Sequence, residues 1–128
     1  IRDLVRSRGL GDVYKRQFQK SATAEHNAML NMLVEEGYLD KAALDDEAAN
    51  ENEIVDALYR GLKGSPCKLM AASIVDAVGE KRTQNQPGTN NEYPNWRIPL
   101  ADGEGNVVPL EKLFDEPRLQ EITAIMRG

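Results

Sequence analysis

The sequence predicts an α/β fold made mostly of helices and loops, with one or two strands, and three observations lead to this class. Two segments, residues 24–36 and 51–62, repeat apolar residues at helical spacing. The apolar run Leu69–Val75, bounded by turn residues, has the length of a strand buried on both faces of a parallel sheet. Such a strand needs neighbours that the rest of this chain does not supply. We therefore expect part of a domain whose remainder lies upstream.

The two amphipathic segments have recognisable ends. Thr23 can cap the start of the first helix, and Gly37 can end it, because glycine adopts the left-handed conformation without a Cβ clash. The second helix is expected to stop at Gly64-Ser65-Pro66. Four apolar side chains share one side of the first helix: Met29, Leu30, Leu33 and Val34.

The second half of the chain is less regular. Leu69–Val75 could form a short buried helix instead of a strand, because it contains Met and Ala. Residues 79–99 show no period, and a structureless stretch of that length is often functional. Asp102–Asn106 is predicted to form a tight turn, and residues 117–126 to form a closing helix.

Composition excludes several classes of function. The 128 residues carry 16 Lys and Arg against 21 Asp and Glu, a net charge of −5, which argues against broad nucleic-acid binding. The one cysteine, Cys67, excludes an internal disulfide framework, and the one histidine, His26, excludes a His/Cys zinc cluster. No apolar run reaches the length of a membrane helix. We expect a cytoplasmic protein, with Cys67 packed inside and His26 on the surface.

Residues 1–17 differ from the rest, with five basic and two acidic side chains. The string DVYKRQ at Asp12–Gln17 matches the translation of GATGTGTATAAGAGACAG, the end of a common transposon adapter used for sequencing libraries. Residues 1–17 are therefore interpreted as a library scar, and 18–128 as the native part. The alternative is a genuine basic amphipathic start.

The polar segment 79–99 has the chemistry of a sugar site. Its amide side chains donate and accept hydrogen bonds, as sugar hydroxyls do, and Pro87-Gly88 forms a bend that lets the backbone approach a ligand. Tyr93 and Trp96 could offer flat apolar faces to a sugar ring. The amides are Asn85, Gln86, Asn90, Asn91 and Asn95. The alternative is a plain surface loop that Trp96 anchors to the core.

Two motifs in this segment resemble a known family. NQPGT at Asn85–Thr89 and EYPNWR at Glu92–Arg97 are similar to the carboxyl-terminal signature of bacterial amylomaltases, in which Asn-x-Pro-Gly precedes Asn-Trp. These are the 4-alpha-glucanotransferases, or disproportionating enzymes, of glycoside hydrolase family seventy-seven. IVDAVGE at Ile74–Glu80 also resembles that family, and the resemblance extends over residues 22–127.

The resemblance implies a (β/α)₈ TIM-type barrel, of which residues 18–128 would be the C-terminal portion and the missing upstream part the partner. Functional groups gather at the carboxyl ends of such strands, where Asp76 and the polar segment fall. Asn85 is implied to contact an alpha-1,4-glucan oligosaccharide, and Pro87 and Gly88 to shape the loop around it. For Asp76 we expect a structural role, capping the next turn.

The implied reaction is a retaining glucan transfer, which uses a carboxylate nucleophile and a carboxyl acid/base. The family's catalytic carboxylates belong to upstream motifs, so no catalytic residue is assigned here and the chain alone is expected to be inactive. Its loop carboxylates, Glu80, Glu92, Asp102 and Glu104, are expected to be solvated. Two alternatives stay open: a stand-alone carbohydrate-binding or interaction module, and a helical domain whose acidic face meets a basic partner.

Overall fold

The computed structural model describes the backbone of residues 2–128 and the side chains of residues 15–128. The side chains of residues 1–14, most of the predicted library scar, lie outside this description. Five α-helices are formed: α1 Arg2–Glu35, α2 Glu51–Gly64, α3 Ile74–Val78, α4 Leu110–Leu113 and α5 Pro117–Arg127. A 3₁₀ turn covers Lys41–Leu44, and one antiparallel bridge joins Ala101 to Val107. The chain divides into two compact units, 1–57 and 58–128.

Helix α1 is longer than the sequence predicted, but it ends where expected. Thr23 lies inside the helix and not at its start, and its hydroxyl donates to the carbonyl of Gln19 at 2.9 Å. At the other end Gly37 has φ +77°, with the Gly37 amide bonded to Val34 O and the Tyr38 amide to Leu33 O. This pair of bonds is the Schellman motif, which satisfies the last carbonyls of a helix.

The first unit has a small apolar core that the α1 periodicity predicted in part. Leu30 and Leu33 of α1 are 2% and 1% exposed, and Leu39 folds back after Gly37 to 5% exposure. Ala43 and Ala57 complete this core. Asp40 caps the 3₁₀ turn by accepting from the Ala42 amide, so the acidic connection after α1 is more ordered than a plain exposed linker.

The strand predicted over Leu69–Val75 is not formed. Residues 69–73 are neither helix nor strand, and Ile74 and Val75 begin α3. Leu69 is 93% exposed and Ile74 50% exposed, so neither is buried on a sheet face. A strand is stabilised by hydrogen bonds to a neighbouring strand, and residues 15–128 offer no strand for this segment to pair with.

The second unit is built around α3 and α5, which pack against each other. Its buried side chains come from every part of the unit: Tyr59, Ala77, Ala101, Leu113 and Ile122. Lys63 near the end of α2 donates to the carbonyl of Met126 in α5 at 2.8 Å. Within the described residues, no helix has both the length and the apolar character that a membrane span requires.

We predict that Gly37→Ala destabilises the end of α1. An added Cβ at Gly37 meets no atom within 4 Å, so the cost comes only from the left-handed backbone, about 1 kcal/mol. Gly37→Asn is the matched variant, because asparagine tolerates this conformation better than alanine. Helical circular dichroism during thermal unfolding should rank wild type above Asn and Asn above Ala, and equal melts for all three would contradict the assignment.

Candidate functional site

The polar loop, residues 79–99, is closed at its neck by an ion pair between the buried Glu80 carboxylate and the exposed Arg82 guanidinium. The Glu80 carboxylate accepts from Arg82 Nε at 2.9 Å and from Arg82 Nη2 at 2.6 Å. The same carboxylate accepts from the Ala101 amide at 3.1 Å, and Arg82 Nη2 also donates to the Pro99 carbonyl at 2.8 Å. Two residues at the start of the loop therefore hold the residues at its end.

Glu80 is not the solvated carboxylate that the sequence predicted. Its side chain is only 1% exposed, and hydrogen bonds from Arg82 lower the pKa of the carboxyl to about 2. The fork of a guanidinium matches a carboxylate in two places at once, and Arg82 reaches back two residues to do so. Sequence spacing alone does not indicate this pairing, because an i, i+2 contact depends on the backbone turn between the two residues.

The other loop carboxylates are exposed or partly exposed, and each bonds locally. The Glu92 carboxylate accepts from the Asn90 amide at 2.8 Å, which lowers its pKa. Asp102 organises the predicted tight turn by accepting from the Glu104 and Asn106 amides, and bonds from Asn106 lower the Asp102 pKa. Glu104 is exposed. In these contacts the Glu92 and Asp102 carboxylates accept hydrogen bonds from backbone amides and so stabilise turns.

Asn95 is the centre of the polar loop. Its side-chain oxygen accepts from the Gln86 amide at 2.7 Å, and its nitrogen donates to the Thr89 hydroxyl at 3.0 Å. Both ends of this amide are therefore used inside the protein, so Asn95 is a brace and not one of the sugar-matching amides that the sequence suggested. A second brace runs from the Tyr93 hydroxyl to the Thr83 carbonyl at 2.5 Å.

The three predicted substrate-binding residues lie together on the turn that Asn95 holds. Pro87 and Gly88 form the bend, with Gly88 at φ +84°, and the Thr89 amide donates back to Gln86 O at 3.2 Å. Asn85 precedes the bend, with its carbonyl accepting from the Thr83 hydroxyl at 2.6 Å. Among residues 15–128 the Asn85 side-chain amide makes no hydrogen bond, so its donors and acceptor are available.

The alternative interpretation of this segment was a plain surface loop that Trp96 anchors to the core. The structure does not show this anchor. The Trp96 side chain is 74% exposed. Its backbone is held firmly, because the Trp96 amide donates to Gln84 O at 2.7 Å. Of the two aromatic residues suggested as flat faces, Tyr93 is half-buried and braces the loop, whereas Trp96 presents a free ring.

The expected structural role of Asp76 is found in a different form. Its carboxylate accepts from the Tyr59 hydroxyl at 2.5 Å, and that hydroxyl accepts from the Ser73 amide at 2.9 Å. Burial and the bond to Asp76 raise the pKa of Tyr59. Ser73 is the residue before α3, so Asp76 fixes the start of its own helix through a tyrosine of α2 rather than capping the next turn.

The single histidine and cysteine are both on the surface. His26 Nε2 lies 2.7 Å from Glu47 Oε2, and both side chains are about half exposed, as predicted for His26. Cys67 is exposed and not packed, because the segment that it begins has no neighbouring strand. In the part of the chain with described side chains, no three His, Cys, Asp or Glu residues come close enough to hold a metal ion.

The arrangement is a polar loop braced by local hydrogen bonds, on which the Asn85 side-chain amide makes no hydrogen bond within residues 15–128 and the Trp96 ring is exposed. Such a surface can bind a neutral polar ligand by hydrogen bonds and stacking. The residues that sequence reasoning missed are Glu80 and Asn95, whose roles depend on contacts across the loop.

Comparison with known proteins identifies the family. A family model described as 4-alpha-glucanotransferase, glycoside hydrolase family 77, matches residues 12–104. Proteins named 4-alpha-glucanotransferase from Mycobacterium bovis (strain ATCC BAA-935 / AF2122/97) and from Mycobacterium tuberculosis strains CDC 1551 and H37Rv are each 42% identical over 109 residues. The chain belongs to the 4-alpha-glucanotransferase family, and the resemblance seen at Asn85–Arg97 is confirmed. No solved structure matches the chain significantly.

The match covers 85% of this chain but only 14% of each mycobacterial relative. The chain therefore spans about one seventh of the length of the relatives that it matches. The matched range begins at Asp12 and so includes residues 12–17. The interpretation of residues 1–17 as a library scar stays a prediction.

We predict that acid destabilises the neck of the polar loop through Glu80. The folded pKa, about 2, lies below the ordinary value of 4.5, so ionised Glu80 stabilises the fold above about pH 4.5. That contribution is lost as the pH falls from 4.5 towards 2. Glu80→Gln should flatten this part of the stability profile, and Arg82→Lys should flatten it partly, because lysine keeps the charge but not the fork. Parallel acid profiles for wild type and Glu80→Gln would contradict the assignment.

We predict that Asn95→Asp loosens the polar loop. The variant keeps an acceptor for the Gln86 amide but places a carboxylate oxygen against the Thr89 carbonyl, at a cost of about 1–3 kcal/mol. Amide hydrogen exchange at Gln86 and Trp96 should become at least about tenfold faster. Asn91→Asp adds the same charge at an exposed position of the same loop and should leave these two amides unchanged. Equal exchange in both variants would show that charge alone matters.

Proposed function

We propose that this chain is the C-terminal part of a 4-alpha-glucanotransferase that transfers alpha-1,4-glucan segments between maltodextrins. The observation that carries the proposal is the family match over residues 12–104, which includes the whole polar loop and Asn85 with its unbonded side-chain amide. The printed name of the mycobacterial relatives agrees with this activity. Maltodextrins and glycogen-derived glucans are the substrate class that follows.

The proposed parent fold is a (β/α)₈ barrel completed by residues upstream of this chain. Leu69 and Ile74, in the segment predicted as a strand, expose apolar surface that partner strands would bury. Val107, Leu110 and Phe114 are also largely exposed. Burial of such side chains stabilises a fold by about 1.5–3 kcal/mol each, which favours a larger domain around this chain.

In the proposed mechanism, transfer proceeds with retention through two displacements. An upstream carboxylate attacks the anomeric carbon and forms a glucosyl ester, while an upstream carboxyl protonates the departing glucan. A second glucan, and not water, then accepts the glucosyl group from this ester. The residues of this chain bind and orient: Asn85 donates to and accepts from glucose hydroxyls, and Pro87 and Gly88 fix the turn that carries it.

The proposed setting is the cytoplasm, where maltodextrins are processed. The reaction requires carboxylates and hydrogen bonds only, so the proposal includes no cofactor or metal. The proposed partners are alpha-1,4-glucan oligosaccharides and the upstream part of the same barrel. The net charge of −5 argues against broad nucleic-acid binding.

The test replaces the matched segment of the Mycobacterium tuberculosis H37Rv relative with the 109 matched residues of this chain. The chimera should release glucose from maltotriose and form longer maltodextrins, whereas the 128-residue chain alone should release none. Asn85→Ala in the chimera should raise KM by about tenfold, the effect of losing about 1.4 kcal/mol of binding. Lys81→Ala, an exposed change in the same loop, should leave KM unchanged.

An inactive but folded chimera would contradict the proposed activity. Its folding is judged by a thermal melt and by its size on a gel-filtration column, compared with the parent relative. An active chimera in which Asn85→Ala has no effect would keep the activity and remove the binding role of Asn85.

One observation favours the alternative, a stand-alone carbohydrate-binding module. The braces of the polar loop connect residues 80–101 with one another, so the loop holds its shape by local contacts. A cooperative melt of the full chain that shifts upward with maltotetraose would support this alternative. A melt without cooperativity would count against it.

A further inference from the structure

Trp96 combines a fixed backbone with a free side chain. Its amide is bonded to Gln84 O at 2.7 Å, and the preceding residue, Asn95, is bonded to both Gln86 and Thr89. Its indole is nevertheless 74% exposed. Exposed tryptophan forfeits the burial of one of the largest apolar side chains, so a rigidly held and uncovered indole indicates a contact that this chain does not itself provide.

The backbone of Trp96 is strained in the same place. Its φ is +59°, and among the described residues it is the one non-glycine residue with a positive φ. A residue with a Cβ is sterically disfavoured at positive φ, and residues held in this conformation are concentrated at binding and active sites. The hydrogen bonds of Asn95 and Trp96 across the loop maintain this conformation.

The same bonds connect the two sequence neighbours of Asn85 to the segment that carries Trp96. Gln84 is bonded to Trp96, and Gln86 is bonded to Asn95, so Asn85 lies between two residues that are each tied to the 95–96 segment. The Asn85 amide and the Trp96 ring therefore lie on two stretches of one loop that are hydrogen-bonded to each other.

We propose that Trp96 is a stacking platform for a glucose ring whose hydroxyls are bound by Asn85. A pyranose ring presents an apolar C–H face to the indole and a rim of hydroxyls that both donate and accept, which is what a neutral amide requires. A neutral ligand matches these two groups, because neither the Asn85 amide nor the Trp96 indole carries a charge. This inference rests on the proposed function, because it identifies Trp96 as a residue that contacts the glucan in that reaction.

The test uses the full 128-residue chain and its one tryptophan, so the fluorescence reports on Trp96 alone. Maltoheptaose should shift the indole emission to the blue and lower its quenching by acrylamide. Cellohexaose, a β-linked glucan of similar size, is the control for linkage. Asn85→Ala should weaken the maltoheptaose response by about tenfold in Kd.

A second measurement uses the chimera with the mycobacterial relative. Trp96→Ala should raise KM for maltotriose by about tenfold with little change in kcat, and Trp96→Phe should recover most of the loss because it keeps a flat ring. Thermal melts of both variants separate binding from folding. A lowered melting temperature with unchanged KM would overturn the proposal and make Trp96 a packing residue covered by the rest of the barrel.

The two proposals fail in different ways. If the chimera is inactive but maltoheptaose still protects Trp96 in the chain, the transferase proposal fails and the sugar platform stands. If the chimera is active and Trp96→Ala matches wild type in KM, the platform fails and the transferase stands. The stacking proposal is overturned if maltoheptaose does not protect Trp96 from acrylamide in the chain and Trp96→Ala does not change KM in the chimera.

Discussion

The ion pair between Glu80 and Arg82 is the contact on which the polar loop depends. Twenty-one residues with no helix and no strand keep a defined shape because one carboxylate, 1% exposed, joins the start of the loop to Ala101, while the guanidinium reaches Pro99. Removing Arg82 would leave the buried Glu80 carboxylate without its matched donor, which is costly where water is excluded. Further in, the contacts of Asn95 and Tyr93 require the two sides of the loop to be already close.

Amides of one chemical type divide into two roles within this loop. The side-chain oxygen and nitrogen of Asn95 are bonded to Gln86 and Thr89, whereas the Asn85 side chain makes no hydrogen bond within residues 15–128. The difference follows from position, because Asn95 lies opposite the turn and Asn85 lies on it. The candidate site is therefore carried by a loop that local hydrogen bonds brace.

Local patterns in the sequence predicted the local structure well. The α1 stop at Gly37, the α2 stop after Gly64 and the turn at Asp102 depend on backbone preferences of nearby residues, and all three are confirmed. The strand expected at Leu69–Val75 is not formed in this chain, because the described residues supply no partner strand. Buried Glu80 and exposed Cys67 were not predicted, because each depends on what lies across the loop or beside the segment. The family motif predicted where the candidate site lies, but not which of its amides is free.

The segment between α2 and α3 has a practical consequence for handling the chain. Residues 68–72 form no backbone hydrogen bond within the described part, and Lys68 is exposed. Proteases require an extended backbone that can enter their cleft, and trypsin cleaves after lysine. A single nick after Lys68 would leave the polar loop, α3, α4 and α5 in one piece. A chain cut only at this bond keeps the whole candidate site, together with the only tryptophan of the chain.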